Sequence, residues 1–600
     1  MIIALLVGST FGAPQVISQA ALGAGYHSVP YLLADAEGEY MTRMQEIIDG
    51  HPTAGSAFFH EYKDIASFVP PSGEFLFYVV PHYLTGQSLV SIILIARFVF
   101  PAILFLLVYT LIYALAVIKS NRAKLSAIAG ALFVVVSYHV IDYASFFAFL
   151  KNGVHEYYAS QWGRLVNPIT GGIFLFLFLN IVVALISTVR KSRRTAIIGG
   201  LVLGVMSGYF FSFFLAVVVT LLYFAWYMSQ KEWGTVYILI GISCIGALVN
   251  SLYVIAVLMT ATHATVPNSL YKQGLFSTHL PIINMLCILI LCIGGAVFVW
   301  YRKTTPSERV PLWWVFVFVM IGSSMLVYTQ QLLTGFTIWP SHFAQYTVPL
   351  MFVVFTVLVE NFIRTKISFL WKLYIVVVIG ISLAFVYRTI ASVPFGMDTY
   401  AELQSYGKVF MWLNTRVGPH DRGCVVYVAS NPESELNRFV TALTPCDVYH
   451  SIDVFSGVPD SRVMYNYLLD LHLRKIKHSN LPEYLQINMH SLYSTFFRDW
   501  VDIFCCGAPG WLGKIRSDAD IQRYFDGVKN SIIAQYTAFE SGDLYAQLTK
   551  YQITYLVVDP TQQDLRIYMR LPFLKYEATL GRFVMYSVQS AQNVPTATSQ

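Results

Sequence analysis

The sequence predicts an α-helical polytopic membrane protein with about eleven transmembrane helices and a C-terminal α/β domain. Three observations predict it. Of 600 residues, 56% are hydrophobic and only 12% charged, about half the charged share of a typical soluble chain. The apolar residues come in windows of roughly 20, long enough to cross a bilayer as helices. Basic residues gather in alternate short connections between those windows, the asymmetry that fixes membrane orientation.

The expected spans lie near 2–24, 88–118, 125–145, 169–189, 195–209, 211–228, 236–260, 280–300, 311–331, 343–363 and 372–390. The first contains Gly8, Gly12, Pro14 and Gln15 but no basic n-region, so an uncleaved helix is expected rather than a cleaved signal. The fifth and sixth share one apolar run, which suits a helical hairpin turning near Tyr209; one long tilted helix is the alternative. Lys119, Arg122 and Lys124, then Arg190, Lys191, Arg193 and Arg194, then Lys231, then Arg302, Lys303 and Arg309, and last Arg364, Lys366 and Lys372 occupy alternate connections. The opposite short connections hold only Lys151, Arg164 and Lys272. The first set is therefore expected in the cytoplasm together with the N-terminus. Trp226, Tyr227, Trp300, Tyr301, Trp313, Trp314 and Trp371 would form an aromatic belt on that side. The loop 25–87 and everything after about 391 are then external. The net charge of +6 sits largely in membrane-flanking loops, and no nucleic-acid partner is expected.

Three parts follow: a membrane module over 1–390 that includes the loop 25–87, an external or periplasmic domain over 391–590, and a polar, disordered tail over 591–600. In the second part β-rich runs such as "CVVYVAS" and "ITYLVVDP" alternate with helix-like stretches such as "SDADIQRYFDGVKNSIIAQY". That alternation suggests an α/β unit, and Asp518 can cap the helix that follows it. Cys244, Cys287 and Cys292 fall in spans as packing residues. Cys424, Cys446, Cys505 and Cys506 fall outside, where disulfides are permitted; spacing alone does not establish a Cys424–Cys446 bridge.

Familiar soluble chemistry is absent. "GAPGWLGK" lacks the first glycine of a phosphate loop, and the two His-Glu-Tyr tripeptides lack the second histidine of a zinc helix. No nucleophile elbow occurs.

The informative residues stand where membrane meets exterior. Asp35, Glu37 and Glu39 head the first loop, with Glu61 and Glu74 further along; Asp142, Glu156, Arg164, His279 and His342 stand at other external ends. Short connections would gather these ends into one rim. Glu37, Glu46 and Asp49 are expected to face water on a helix that stops at Gly50. Asp35 follows an apolar span, where desolvation would raise its proton affinity and suit it to act as a general base. Arg97 lies about ten residues into the second span, a depth that demands a partner, a polar cavity or snorkelling.

"ADAEGEYMTRMQEIIDGHP", "FFHEYKD" and "PPSGEF" resemble the first external loop of GT-C superfamily membrane glycosyltransferases. "YTQQLLTGFTIWPSHF" resembles a late external loop of their uncharacterised bacterial branch, and "YQITYLVVDP" with "GRFVMYSV" the closing strands of that branch's periplasmic domain. The resemblance implies a polyprenyl-phosphate-linked sugar donor and an envelope glycan, lipid or protein acceptor, outside the cytoplasmic membrane. Asp35 corresponds to the loop acid that deprotonates the acceptor, with Glu39 and Glu156 as further catalytic candidates. Arg97, Arg164, Lys272, His279 and His342 would meet the leaving phosphate, and Glu61 and Glu74 would line the substrate site. Some relatives hold a divalent cation (Mg or Mn) through loop carboxylates, for which Asp35 with Glu156 would serve. "RDWVD" departs from the Trp-Trp-Asp motif of oligosaccharyltransferases, which places peptide-sequon recognition in doubt. The competing functions are a transporter or flippase of lipid-linked saccharides, a polysaccharide polymerase or ligase, and a non-catalytic scaffold. A transporter would place charge at the midplane in repeated halves, and neither feature is read here.

Overall fold

The structure is a computed structural model. It describes the chain except residues 32–35, 66–70, 138–142, 159, 189–191, 262–274, 278, 280–282, 305–309, 339, 419–422, 430–433, 452–457, 497–510, 513–517 and 590–600. Nine helical segments among the described residues are long and apolar enough to cross a membrane, and the protein is a multi-pass membrane protein.

The first helix is α1, Ile2–Leu22, and a shorter one, α2, Ala36–Ile48, follows it. Then come α3, Leu89–Leu115; α4, Asn121–Val135; α5, Tyr143–Asn152; and α6, Ile169–Ser187. The helices α7, Arg193–Val205, and α8, Phe210–Ser229, share the long apolar run and are separated by a break at Tyr209, whose φ of −124° and ψ of 75° interrupt the helix. The hairpin reading therefore holds over the single tilted helix. Next are α9, Trp233–Ala261; α10, Met285–Thr304; α11, Leu312–Thr329; α12, Pro340–Leu358; and α13, Ser368–Ala391.

Two of the eleven expected spans, 125–145 and 195–209, are too short to count among the nine. Helix α4 has 15 residues and α7 has 13, against the roughly 20 that a bilayer requires. Helices α6 and α12 are the most covered in the bundle, while α10 and α13 leave most of their apolar surface open to lipid. Helices α1 and α3 touch closely: a Cβ on Gly8 would meet the Phe98 carbonyl oxygen at 2.3 Å. Small residues at membrane helix contacts permit that approach.

Beyond α13, helix α14, Met397–Arg416, leads into a five-stranded sheet. Its strands are β1, Val425–Ala429; β2, Asp447–Val448; β3, Tyr555–Val558; β4, Leu574–Leu580; and β5, Phe583–Val588, in the spatial order β2-β1-β3-β5-β4. β1 pairs in parallel with β2 and β3, and β5 runs antiparallel to both β3 and β4. Both faces of β1 are buried, as a central parallel strand requires. Helix α15, Glu435–Leu443, connects β1 to β2, and a disulfide joins Cys424 to Cys446 across that connection. The helices α16, Asp460–Leu473, and α17, Asp518–Glu540, complete the α/β unit.

One core runs through both parts, because α2 is a wedge between them. The expectation that Glu37 and Glu46 face water is overturned: they are 0% and 2% exposed. Met41, Met44 and Ile47 are buried as well. A Cβ on Gly38 would lie 2.9 Å from the Arg438 side chain of α15, so only glycine lets the two helices pack this closely. Asp49 is half-buried, and the chain leaves the helix through Gly50 at φ 101°.

Candidate active site

The wedge is held by ion pairs on several sides. Glu37 Oε2 stands 3.4 Å from Arg97 Nη2, and Glu37 Oε1 accepts the backbone N–H of Leu165 at 2.7 Å. Arg43 Nη1 lies 3.1 Å from Glu74 Oε1, with both side chains buried. Burial pushes the Glu74 carboxyl up, and Arg43 opposes that rise. At the far end Lys63 Nζ bridges Glu46 Oε1 at 2.8 Å and Asp447 Oδ1 at 2.6 Å, while His60 Nδ1 is 2.9 Å from Asp447 Oδ2. Buried charges persist only when paired and hydrogen-bonded; Lys63 and Asp447 form the charged pair here, since burial pushes the Glu46 carboxyl up to about 8.

These contacts set the depth of α2. Its C-terminal end lies beside the short helix Val80–Thr85 that precedes α3, where Tyr83 donates its hydroxyl to the Ile48 carbonyl. Its N-terminal end meets Arg97, eight residues into α3 and so about 12 Å deeper along that helix. The end from which the acidic loop emerges is thus sunk into the mouth of the bundle. Glu37 and Glu39 occupy its first turn, where the helix dipole favours negative charge.

Both terminal nitrogens of Arg97 are held at that depth, while its Nε is buried without a hydrogen-bond partner. Its Nη1 donates to Gln15 Oε1 at 2.8 Å and its Nη2 to the Tyr31 carbonyl. Gln15 in turn accepts the Tyr31 N–H at 2.9 Å and donates to the Tyr400 hydroxyl at 2.5 Å. A buried arginine, a polar glutamine from the first span and the α2 acid form one knot.

Arg164 differs. It adjoins Leu165, the residue that anchors Glu37, and its side chain is half-buried. Like that of Arg97, its Nε is buried without a hydrogen-bond partner, but Arg164 makes no ion pair among the described residues. Its charge acts on Tyr40, one turn along α2 from Glu37, and on His342 at the start of α12. Burial pushes the Tyr40 phenol up, and the Arg164 charge opposes this. The His342 ring stacks on Phe211 with centroids 5.0 Å apart. Nearby, Tyr346 donates to Asn167 Oδ1 at 2.7 Å, and Tyr78 donates to the Leu165 carbonyl. Acids of α2, a cation without a counter-ion among the described residues and several phenols therefore lie near one another at the face carrying α2.

Of the residues singled out from sequence, Glu37, Glu39, Glu74, Arg97, Arg164 and His342 border this region. Asp35 and Lys272 lie outside the described residues, as do Asp142, Cys505 and Cys506; Asp35 immediately precedes the start of α2. Glu156 is 61% exposed and turns to Arg388 at 3.7 Å. Glu61, in the first loop, faces Arg462 of α16 at 3.5 Å. His279 is exposed, and a Cβ on Gly335 would meet its ring at 3.2 Å. Among the described residues, no three of His, Cys, Asp and Glu converge as a metal site. Of the pair expected to hold a cation, Asp35 lies outside the described residues and Glu156 stands 3.7 Å from Arg388. Gln15, Tyr40, Arg43 and Tyr78 were not singled out from sequence; a glutamine inside the first span was the one available signal.

No family model matches the chain, and no curated protein matches it. Among solved structures it is similar to the cryo-EM structure of the arabinofuranosyltransferase AftD from mycobacteria, at 12% identity and a TM-score of 0.48. That alignment covers 99% of this chain and 40% of the other. A mutant of the same enzyme matches at 12% identity and a TM-score of 0.44, covering 96% and 41%. The chain thus spans about two fifths of the length of the structures it matches.

Proposed function

We propose that the protein is an inverting membrane glycosyltransferase of GT-C type. It transfers a sugar from a polyprenyl-phosphate-linked donor to an envelope glycan, lipid or protein acceptor at the external face of the cytoplasmic membrane. The observation that carries this reading is Arg164, a half-buried cation without a counter-ion among the described residues, beside the sunken acidic end of α2. An anionic group arriving from the lipid would find a charge there that the fold itself leaves unspent.

Asp35 takes the proton of the acceptor hydroxyl as that oxygen bonds to the anomeric carbon. The bond from the same carbon to the lipid-phosphate oxygen breaks, and the phosphate leaves with the electron pair. Arg164, with His342 beside it, meets the charge that develops. Glu37 and Arg97 serve as a strut that holds the deep end of α2, and no step is routed through a metal.

The test is complementation of a deletion strain, read by mass spectrometry of its envelope glycans. Asp35→Asn inserted at normal level should fail to restore the missing sugar. Full restoration would remove Asp35 as the base.

A further inference from the structure

We infer that a second site, the cleft at the other end of α2, binds a neutral saccharide. The cleft has a volume of about 900 Å³ and lies between α1, the end of α2, the start of α3, α14 and the segment after α15. Cavities of roughly 300–1,000 Å³ with a few placed polar groups hold small ligands.

Its lining chooses the ligand class. His27, Gln45, Asp49, Ser91 and Asn414 contribute polar groups, and Tyr26 and Phe410 contribute aromatic surface. Among the described residues that line it there is no lysine or arginine, whereas phosphate and carboxylate ligands are recognised by such cations. A purely apolar ligand would strand the amides and the carboxylate without partners. A sugar chain answers both requirements, since its hydroxyls pair with amides and a carboxylate while its C–H faces lie on aromatic and aliphatic walls.

The polar groups are also fixed in advance. Gln45 Nε2 donates to Asp49 Oδ1 at 3.0 Å, Asn414 Nδ2 to the Leu443 carbonyl at 3.0 Å, and Gln19 Nε2 to the Tyr26 hydroxyl at 2.9 Å. Each bond uses one of several donors and acceptors on its side chain, so capacity remains for a ligand without the entropy of ordering a loose wall. Gln45 stands eight residues along α2 from Glu37, about 12 Å. One rigid helix therefore spans the distance between the cleft and the candidate active site. That this saccharide is the acceptor rests on the proposed function; that the cleft binds it does not.

The experiment uses the full-length protein in nanodiscs, without donor, on a panel of neutral and uronate-containing oligosaccharides. Neutral chains should be retained over acidic ones. Gln45→Ala with Asn414→Ala should weaken binding at least tenfold, and so should Met411→Trp, which puts bulk on the exposed rim, in protein whose Tm is unchanged. The inference is overturned by no retention above empty nanodiscs, by preference for uronates, or by binding that neither variant weakens. Intact binding together with unchanged envelope glycans in the deletion strain would remove the transferase reading and leave the cleft standing.

Discussion

Glu37 and Arg97 meet at 3.4 Å with both side chains sealed from water. Their other bonds reach Gln15 of α1, the Tyr31 carbonyl and the Leu165 backbone. Four stretches of chain that are distant in sequence are tied at one point, and that point fixes where the acidic end of α2 sits.

Glu37→Gln should therefore damage the fold more than an ordinary surface change. It leaves the Arg97 guanidinium buried without its anion, a loss of about 3–5 kcal/mol. Thermal unfolding in nanodiscs should show Tm lowered by several degrees. Arg97→Met on top of Glu37→Gln should recover part of that loss, since the stranded charge is gone. Equal and additive losses would show that the two residues do not act as a pair.

The long spans were legible because hydropathy over 20 residues is a local property. The α2 wedge was not. Glu37 and Glu46 read as solvated because acids usually are, and nothing near them in sequence announces Arg97 or Asp447. Their burial is decided by Asp447, some four hundred residues away, and by the α15 surface that covers Gly38. The same reason hid Gln15, which reads in sequence as one polar residue of the first span and bonds Arg97, Tyr31 and Tyr400 in the structure. The helices described in the apolar runs near 125 and 195, α4 and α7, have 15 and 13 residues. The strands β1, β3 and β5 were readable as β-rich runs, but the order of the sheet was not, since it depends on pairing between distant segments.

Gly8 offers a test of the α1–α3 contact. Gly8→Ala places a methyl 2.3 Å from a backbone oxygen, which no rotamer change can relieve. The helices must separate, at about 1–3 kcal/mol, and Tm should fall. Gly25→Ala, where a Cβ meets nothing within 4 Å, is the matched control and should leave Tm nearly unchanged.

The junction of the first loop with the α/β unit should weaken as pH rises. Its hydrogen bond to Asp447 raises the His60 pKa above the ordinary 6.5. Its contribution is complete below about pH 6.5 and is lost as pH climbs through the raised value. Burial pushes Glu46 from 4.5 up to about 8, against the pull of Lys63. The folded chain then keeps a proton that the unfolded chain has released, so stability falls between about pH 4.5 and 8. The two slopes have the same sign. Tm should decline across pH 6 to 8, and Glu46→Gln, which cannot ionise, should flatten the decline. A Tm that rises over this range would contradict the assignment.

Arg164 separates function from stability most cleanly. Because it makes no ion pair among the described residues and its Nε has no partner, removing its charge strands none of the described acids. Arg164→Gln should unfold close to the wild-type Tm, unlike Glu37→Gln. If its charge meets the departing phosphate, turnover should fall by about 10²–10³, the usual loss on deleting one preorganised group at a developing anion. Arg164→Lys should recover part of the rate, since a point charge replaces a planar fork. Glycan mass spectrometry of complemented strains, alongside Tm in nanodiscs, reads both quantities. Normal glycan from Arg164→Gln would remove Arg164 from the reaction, and a collapsed Tm would make it a structural residue.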